Sequence, residues 1–182
     1  MGLDNIDRKE YFLYMNFLLT GSPGVGKTTI LKKFADILGD KVTGFLTVEV
    51  REEPSRIGFD IVSFDGHRGT FARKGLESRY HIGRYGVDLD SFERIAIPTL
   101  KPVPNTILII DEIGKMELKS DRFRDAVLYA LDSDVIVVAA IMQSAHPFAD
   151  SIKDRSDCKI VEATRKNRDY IPERLVGFCE ES

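Results

Sequence analysis

The run Gly21-Ser22-Pro23-Gly24-Val25-Gly26-Lys27-Thr28 stands between an apolar stretch, Met15 to Leu19, and a stretch with helical apolar spacing. Few patterns restrict a fold so tightly. A strand that turns through glycines directly into a helix presents inward-facing backbone N–H groups beside the unpaired amides and positive dipole end of that helix, a cradle for a polyphosphate. Gly21, Gly24 and Gly26 supply positive-φ turn conformations and let the backbone approach phosphate oxygens, while Pro23 stiffens the turn. Lys27 reaches the β- and γ-phosphates as a point charge, and Thr28 offers its hydroxyl to a magnesium ion bridging them. The context agrees: Phe17, Leu18 and Leu19 read as a buried strand, and Ile30, Leu31, Phe34, Ile37 and Leu38 form a helical face that Gly39 ends. The spacing predicts a phosphate loop, Walker A, in a chain that binds a nucleoside triphosphate.

The rest of the chain is expected to build one domain around that loop. Residues 1–14 show little periodicity and read as an N-terminal extension, although Tyr11 to Tyr14 would lengthen the first strand; Met1 and Met15 both stand as candidate starts. Residues 15–182 read as a single domain, long enough to bury a continuous core. Val42 to Val50 and Ile57 to Phe64 read as strands of a hairpin across Arg51 to Arg56. The segment from Asp65-Gly66 through Tyr85, rich in arginine and glycine, reads as a surface excursion. Asp90-Ser91-Phe92-Glu93 has capping-box spacing for a short helix running to about Pro98. Thr106 to Ile110 and Val135 to Ile141 are continuous apolar strands that flank a helix capped by Ser120 or Asp121 and carrying Phe123, Ala126, Val127, Ala130 and Leu131. Cys158 to Val161 is a last strand, followed by a terminal helix with Ile171, Leu175, Val176 and Cys179 on one side. Alternating helices and buried strands predict a three-layer α/β fold: a mostly parallel sheet with helices on both faces and an antiparallel hairpin, its ligands at the carboxyl ends of the strands.

A second motif completes the site. Ile107-Leu108-Ile109-Ile110-Asp111-Glu112 is an apolar strand ending in two carboxylates, the Walker B pattern, followed by Ile113-Gly114. Beside a phosphate loop, Asp111 is placed to hold the hydrated magnesium ion together with Thr28. Glu112 is placed to orient and polarise a water for in-line attack, a task that hydrolysis needs and simple binding does not. Residues 21–28 and 107–114 together form the expected nucleotide-binding set, with Lys27 and Glu112 as catalytic candidates. A cation that meets charge developing in the transition state is sought among Lys115, Arg168, Arg68, Arg73 and Arg84, with Lys115 and Arg168 preferred. Arg168 packing over a base is the alternative, and Tyr80 and Tyr85, beside Arg79 and Arg84, are read as covering the sheet edge rather than stacking on a base.

The chain resembles the small P-loop nucleoside-triphosphatases first described from thermophiles, which include the cancer-related nucleoside-triphosphatase of animals. The resemblance covers residues 15–178 and is carried by Asp111-Glu112-Ile113-Gly114-Lys115-Met116-Glu117-Leu118, Arg56-Ile57-Gly58-Phe59-Asp60, Val87-Asp88-Leu89, Ser91-Phe92-Glu93 and Asn167-Arg168. It implies a recombinase-like sheet and magnesium-dependent hydrolysis of ATP, GTP, CTP, UTP and TTP to diphosphate and phosphate. The residues themselves agree on one point: the chain has no [NT]KxD guanine-reading motif, so recognition centred on the phosphates leaves the base loosely specified.

Composition narrows the partners. A net charge of -3 argues against general nucleic-acid binding through phosphate neutralisation. The longest apolar run, Val135 to Met142, is too short to span a bilayer, and the N-terminus lacks the apolar core of a secretory signal, so the expected location is the cytoplasm. Cys158 and Cys179 lie far apart and read as reduced thiols, and His67, His81 and His146 have no ligand spacing. Magnesium carried by the nucleotide is therefore the expected cofactor. A monomer is favoured, with room for an unidentified protein partner. A P-loop metabolite or nucleoside kinase, with Arg68 to Arg84 as its lid, and a nucleotide-gated switch remain as alternatives, and Glu112 is the residue that favours hydrolysis over both.

Overall fold

The structure, a computed structural model, describes residues 15–181. The extension 1–14, with the reading of Tyr11 to Tyr14 as added strand, lies outside the described residues. One sheet organises the rest. Its strands are β1 (Asn16–Thr20), β2 (Val42–Glu52), β3 (Ser55–Ser63), β4 (Arg68–Lys74), β5 (His81–Ile82), β6 (Tyr85–Val87), β7 (Ile107–Ile113), β8 (Ile136–Ile141) and β9 (Cys158–Glu162), in the spatial order β5-β6-β4-β3-β2-β7-β8-β1-β9. From β2 to β9 every neighbouring pair is parallel, and from β2 outward to β5 every pair is antiparallel.

Five helices cover this sheet: α1 (Lys27–Leu38), α2 (Leu89–Thr99), α3 (Asp121–Leu131), α4 (Pro147–Lys153) and α5 (Ile171–Glu180). They divide the apolar residues between two faces. On one, Phe92 of α2, Phe123 of α3 and Ile152 of α4 pack on Phe45, Leu108 and Val137; on the other, Ile30, Leu31 and Phe34 of α1 and Leu175 of α5 pack on Phe17, Ile109 and Val138. Alternate residues of β7 and β8 thus feed opposite faces, which explains why both strands are apolar without interruption. Close contact also dictates small residues. A Cβ on Gly44 of β2 would stand 1.9 Å from the carbonyl oxygen of Ile109, at a φ of +102°, so only glycine fits there.

The sheet departs from expectation at its antiparallel end. The segment read as a surface excursion holds β4 and β5 and the start of β6, and its Phe71, Ala72 and Tyr85 are buried, as is Val87 just beyond it. Its arginines hid the strand pattern because Arg68 and Arg73 turn back to Asp60 of β3. Gly69 within this segment and Gly86 just after it are packing sites rather than turns: a Cβ on Gly69 would meet the Ser91 hydroxyl at 2.6 Å, and one on Gly86 the Leu76 carbonyl oxygen at 2.0 Å. The cap of α2 is Asp88, whose carboxylate accepts the Ser91 N–H at 2.9 Å, not Asp90. Glu93, the expected partner in the capping box, instead accepts from the Ser120 hydroxyl at 2.6 Å and from Arg122. Ile37, assigned to the apolar face of α1, is exposed, and Ala35 is buried in that face. α4 had no counterpart in the sequence reading.

Candidate active site

β1 delivers the phosphate loop and β7 the two acids, with β8 alone between them in the sheet. Because all three strands run parallel, the loop and the acids leave the same edge. In the loop, Gly21 and Val25 are buried, Ser22, Pro23 and Gly24 are exposed, and the Val25 N–H closes the turn on the Ser22 carbonyl at 3.1 Å. Gly21 lies against the end of β9, where a Cβ would come within 2.6 Å of the Ala163 carbonyl oxygen. α1 begins at Lys27 after Gly26, at φ +105°, and no side chain caps its first turn. The amides at that helix start are therefore available to an anion.

Lys27 joins the two halves. Its ammonium donates to the Gly21 carbonyl at 3.1 Å and stands 4.0 Å from Glu112 Oε1. Asp111 is almost wholly buried at the end of β7. Its Oδ2 accepts the Thr47 N–H at 2.9 Å and the Thr47 hydroxyl, while its Oδ1 is buried with no partner. Burial raises the Asp111 carboxyl above its ordinary value, opposed by hydrogen bonds from Thr47, by the nearby Thr28 hydroxyl and by the charge of Lys27. Glu112 is raised too, by burial first, with Lys27 lowering it and Asp111 raising it. An orphaned, buried carboxylate oxygen beside the Thr28 hydroxyl suits a hard cation, so the donor set fits magnesium.

The other predicted residues divide. Leu108, Ile109, Ile110 and Ile113 are fully buried in the core, with Ile107 packed at its margin, so they build the strand beneath the acids rather than line the loop. Gly114 follows directly, and a Cβ there would meet the side chains of Glu112 and Glu117. Arg168 reaches the loop, its guanidinium donating to the Val25 carbonyl at 3.2 Å. Lys115 is exposed just beyond the acids. Arg68 and Arg73 are held by Asp60, and Arg84 lies over the Tyr85 ring at 5.5 Å. Tyr85 is buried beside Phe59 and Tyr80 packs on the core, which accords with a covering role for both. Cys158 and Cys179 are free thiols that burial pushes up to about 12, which disfavours the thiolate. Sequence reasoning gave no role to Thr47, which fixes Asp111 from a strand far away in the chain, or to the buried Glu117.

A family model described as NTPase matches residues 16–176. The chain belongs to this NTPase family. Among its relatives, nucleoside-triphosphatase THEP1 of Thermotoga sp. (strain RQ2) is 46% identical over 168 residues, covering 91% of this chain and 96% of that protein. The cancer-related nucleoside-triphosphatase of Homo sapiens is 39% identical over 182 residues, covering 90% and 96%. The crystal structure of THEP1 from the hyperthermophile Aquifex aeolicus superposes with a TM-score of 0.84 at 39% identity, covering 91% of this chain and 99% of that one. The NTPase family thus accounts for nearly all of the described residues, and the P-loop NTPase fold expected from the two motifs is the fold observed.

Proposed function

We propose that this chain hydrolyses nucleoside triphosphates to nucleoside diphosphate and phosphate, at a site made of residues 21–28, Asp111 and Glu112. The observation that carries the reading is the 4.0 Å approach of the Lys27 ammonium to Glu112 Oε1, which puts a phosphate-binding cation and a water-orienting carboxylate on one spot. The loop amides and Lys27 grip the β- and γ-phosphates, and Lys27 exchanges its Gly21 carbonyl for phosphate oxygens. Thr28 and Asp111 would hold magnesium, which neutralises phosphate charge when bound. Glu112 accepts a hydrogen bond from water and directs its oxygen in line with the bond to be broken; the water oxygen bonds to the γ-phosphorus, its protons leave with the phosphate formed, and the diphosphate departs with the bridging electron pair. Arg168, anchored on the loop, and exposed Lys115 are the cations best situated to meet the developing charge.

Recognition concentrated on the phosphates supports a broad base range, over ATP, GTP, CTP, UTP and TTP. Residues 15–182 are proposed to work as one domain, as a monomer in the cytoplasm, without nucleic acid. No helix among the described residues is long and apolar enough to cross a membrane. The segment that suggested a kinase lid is woven into the sheet as β4 to β6, which favours water over a sequestered acceptor. The test is phosphate release from the five triphosphates, with magnesium and no acceptor. Lys27→Ala should lose nucleotide binding, and Glu112→Gln should keep it while kcat falls about 10²- to 10⁴-fold. Full hydrolysis by Glu112→Gln removes Glu112 from the chemistry, and a preference of about a thousandfold in kcat/KM for one base, some 4 kcal/mol, refutes the broad range.

A further inference from the structure

Glu117 is a buried carboxyl to which the hydrolysis described above gives no task. It opens a single 3₁₀ turn, Glu117–Lys119, directly after β7, and is 5% exposed. Its carboxyl feels its own backbone amide and that of Gly114, which favour the charged form but are outweighed by burial. Glu112 arrives at the same place from the strand. A Cβ built on Gly114 would stand 2.9 Å from Glu117 Oε2, 2.9 Å from Glu112 Cγ and 3.0 Å from Glu112 Cδ. The two acids therefore converge on the one position that carries no side chain. Such a placement needs a reason, since a buried acid is costly and an apolar residue of like volume would pack there at less expense.

We propose that Glu117 is a positioning residue for hydrolysis: its carboxyl holds the Gly114 turn and bounds the Glu112 side chain, fixing where the Glu112 carboxylate stands before the Lys27 ammonium. The proposal rests on Glu112 orienting the attacking water. The charged groups facing Glu117 are Glu112 and Asp111 of β7, with Lys27 of α1 paired to Glu112. Burial, then the charge of Glu112, pushes Glu117 well above the ordinary carboxyl range, which favours its neutral form beside Glu112. A neutral acid both donates and accepts hydrogen bonds, and glutamine has the same shape and the same two capacities.

The experiment is steady-state hydrolysis of magnesium ATP by Glu117→Ala, Glu117→Gln and Gly114→Ala, each also made with Glu112→Gln. Glu117→Ala should lower kcat about 10- to 100-fold, the usual loss when the support behind a reacting group is removed, with KM almost unchanged. Glu117→Gln should restore most of that loss. With Glu112→Gln present, Glu117→Ala should cost nothing more, because a residue acting through Glu112 has nothing left to position. Gly114→Ala drives a methyl between the two acids and should lower kcat in the same way, which keeps the test decisive if Glu117→Ala does not fold. Full kcat in Glu117→Ala or in Gly114→Ala overturns the proposal, and so does an undiminished further loss beside Glu112→Gln. If Glu112→Gln alone hydrolyses at the full rate, the reading of Glu112 fails and takes the proposal with it. If Glu112→Gln is inactive while Glu117→Ala is not, only the positioning role fails.

Discussion

Asp60 shows at the scale of one residue how a buried charge is kept. It is 8% exposed, yet Arg68 Nε donates to its Oδ2 at 2.8 Å and the Arg73 guanidinium donates to its Oδ1. Burial raises the carboxyl, but the hydrogen bonds of Arg73 and Arg68 outweigh it and hold Asp60 below its ordinary value. The charged form is thus favoured by the fold. Its contribution is complete above the unfolded value of about 3.9 and is lost as pH falls through the lower folded value. We expect Asp60→Asn to be less stable than wild type by about 1–3 kcal/mol at neutral pH, with the difference shrinking below about pH 4. Urea midpoints measured across that range check it; two curves that stay parallel would remove Asp60 from the acid response. A second residue tests packing alone. Phe92 lies fully buried among the rings of Phe45, Phe71 and Phe123, whose centroids are 5.7, 4.6 and 5.2 Å away. Phe92→Ala should cost about 3–5 kcal/mol in urea denaturation. It sits on the face opposite α1, so KM for magnesium ATP of the protein that remains folded should not change.

At the scale of elements, ends and turns decide what forms. The Asp88 carboxylate satisfies one free N–H at the start of α2, and Asp88→Ala should cost about 1 kcal/mol, measured by the thermal midpoint. No change would assign the start of α2 to packing alone. The same local chemistry explains what could be read in the sequence. β1, the loop and α1 were legible because the turn glycines, the lysine and the helix periodicity sit within neighbouring residues. Asp111 and Glu112 were legible because an unbroken apolar strand runs straight into them. Other features depend on partners that local patterns do not contain. β4 looked like a loop because its arginines answer Asp60 and its Gly69 makes room for Ser91 and Ile95 of α2. α4 has only seven residues and too little periodicity to register. Thr47 was invisible because it meets Asp111 across 64 positions of sequence. Glu117 stood in the sequence only as part of the run Asp111 to Leu118, and nothing in that run signals that the short turn after β7 buries it.

At the scale of the molecule, the described residues form one sheet between two apolar layers, and the candidate site spans both. α1, which carries Lys27 and Thr28, belongs to the layer with α5, whereas the turn after β7 leads into α3 in the opposite layer. A triphosphate gripped by the loop and by the acids therefore ties β1 to β7 across β8, and any ligand that binds only the folded chain stabilises all of it by mass action. At a hundredfold excess over its dissociation constant the gain is about 2.7 kcal/mol. For a domain of this length each kcal/mol moves the melting point by about 2–4 °C, so a non-hydrolysable triphosphate with magnesium should raise Tm by about 5–11 °C. With the grip on the phosphates as proposed, analogues of ATP, GTP, CTP and UTP at equal saturation should give the same shift at similar concentrations. Lys27→Ala should abolish it for every base, and chelating the magnesium should reduce it for every base alike. Scanning calorimetry or dye-monitored melting reads all of these in one experiment. A shift confined to a single nucleotide would show that the base is read, and a full shift in Lys27→Ala would place the ligand somewhere other than the loop after β1.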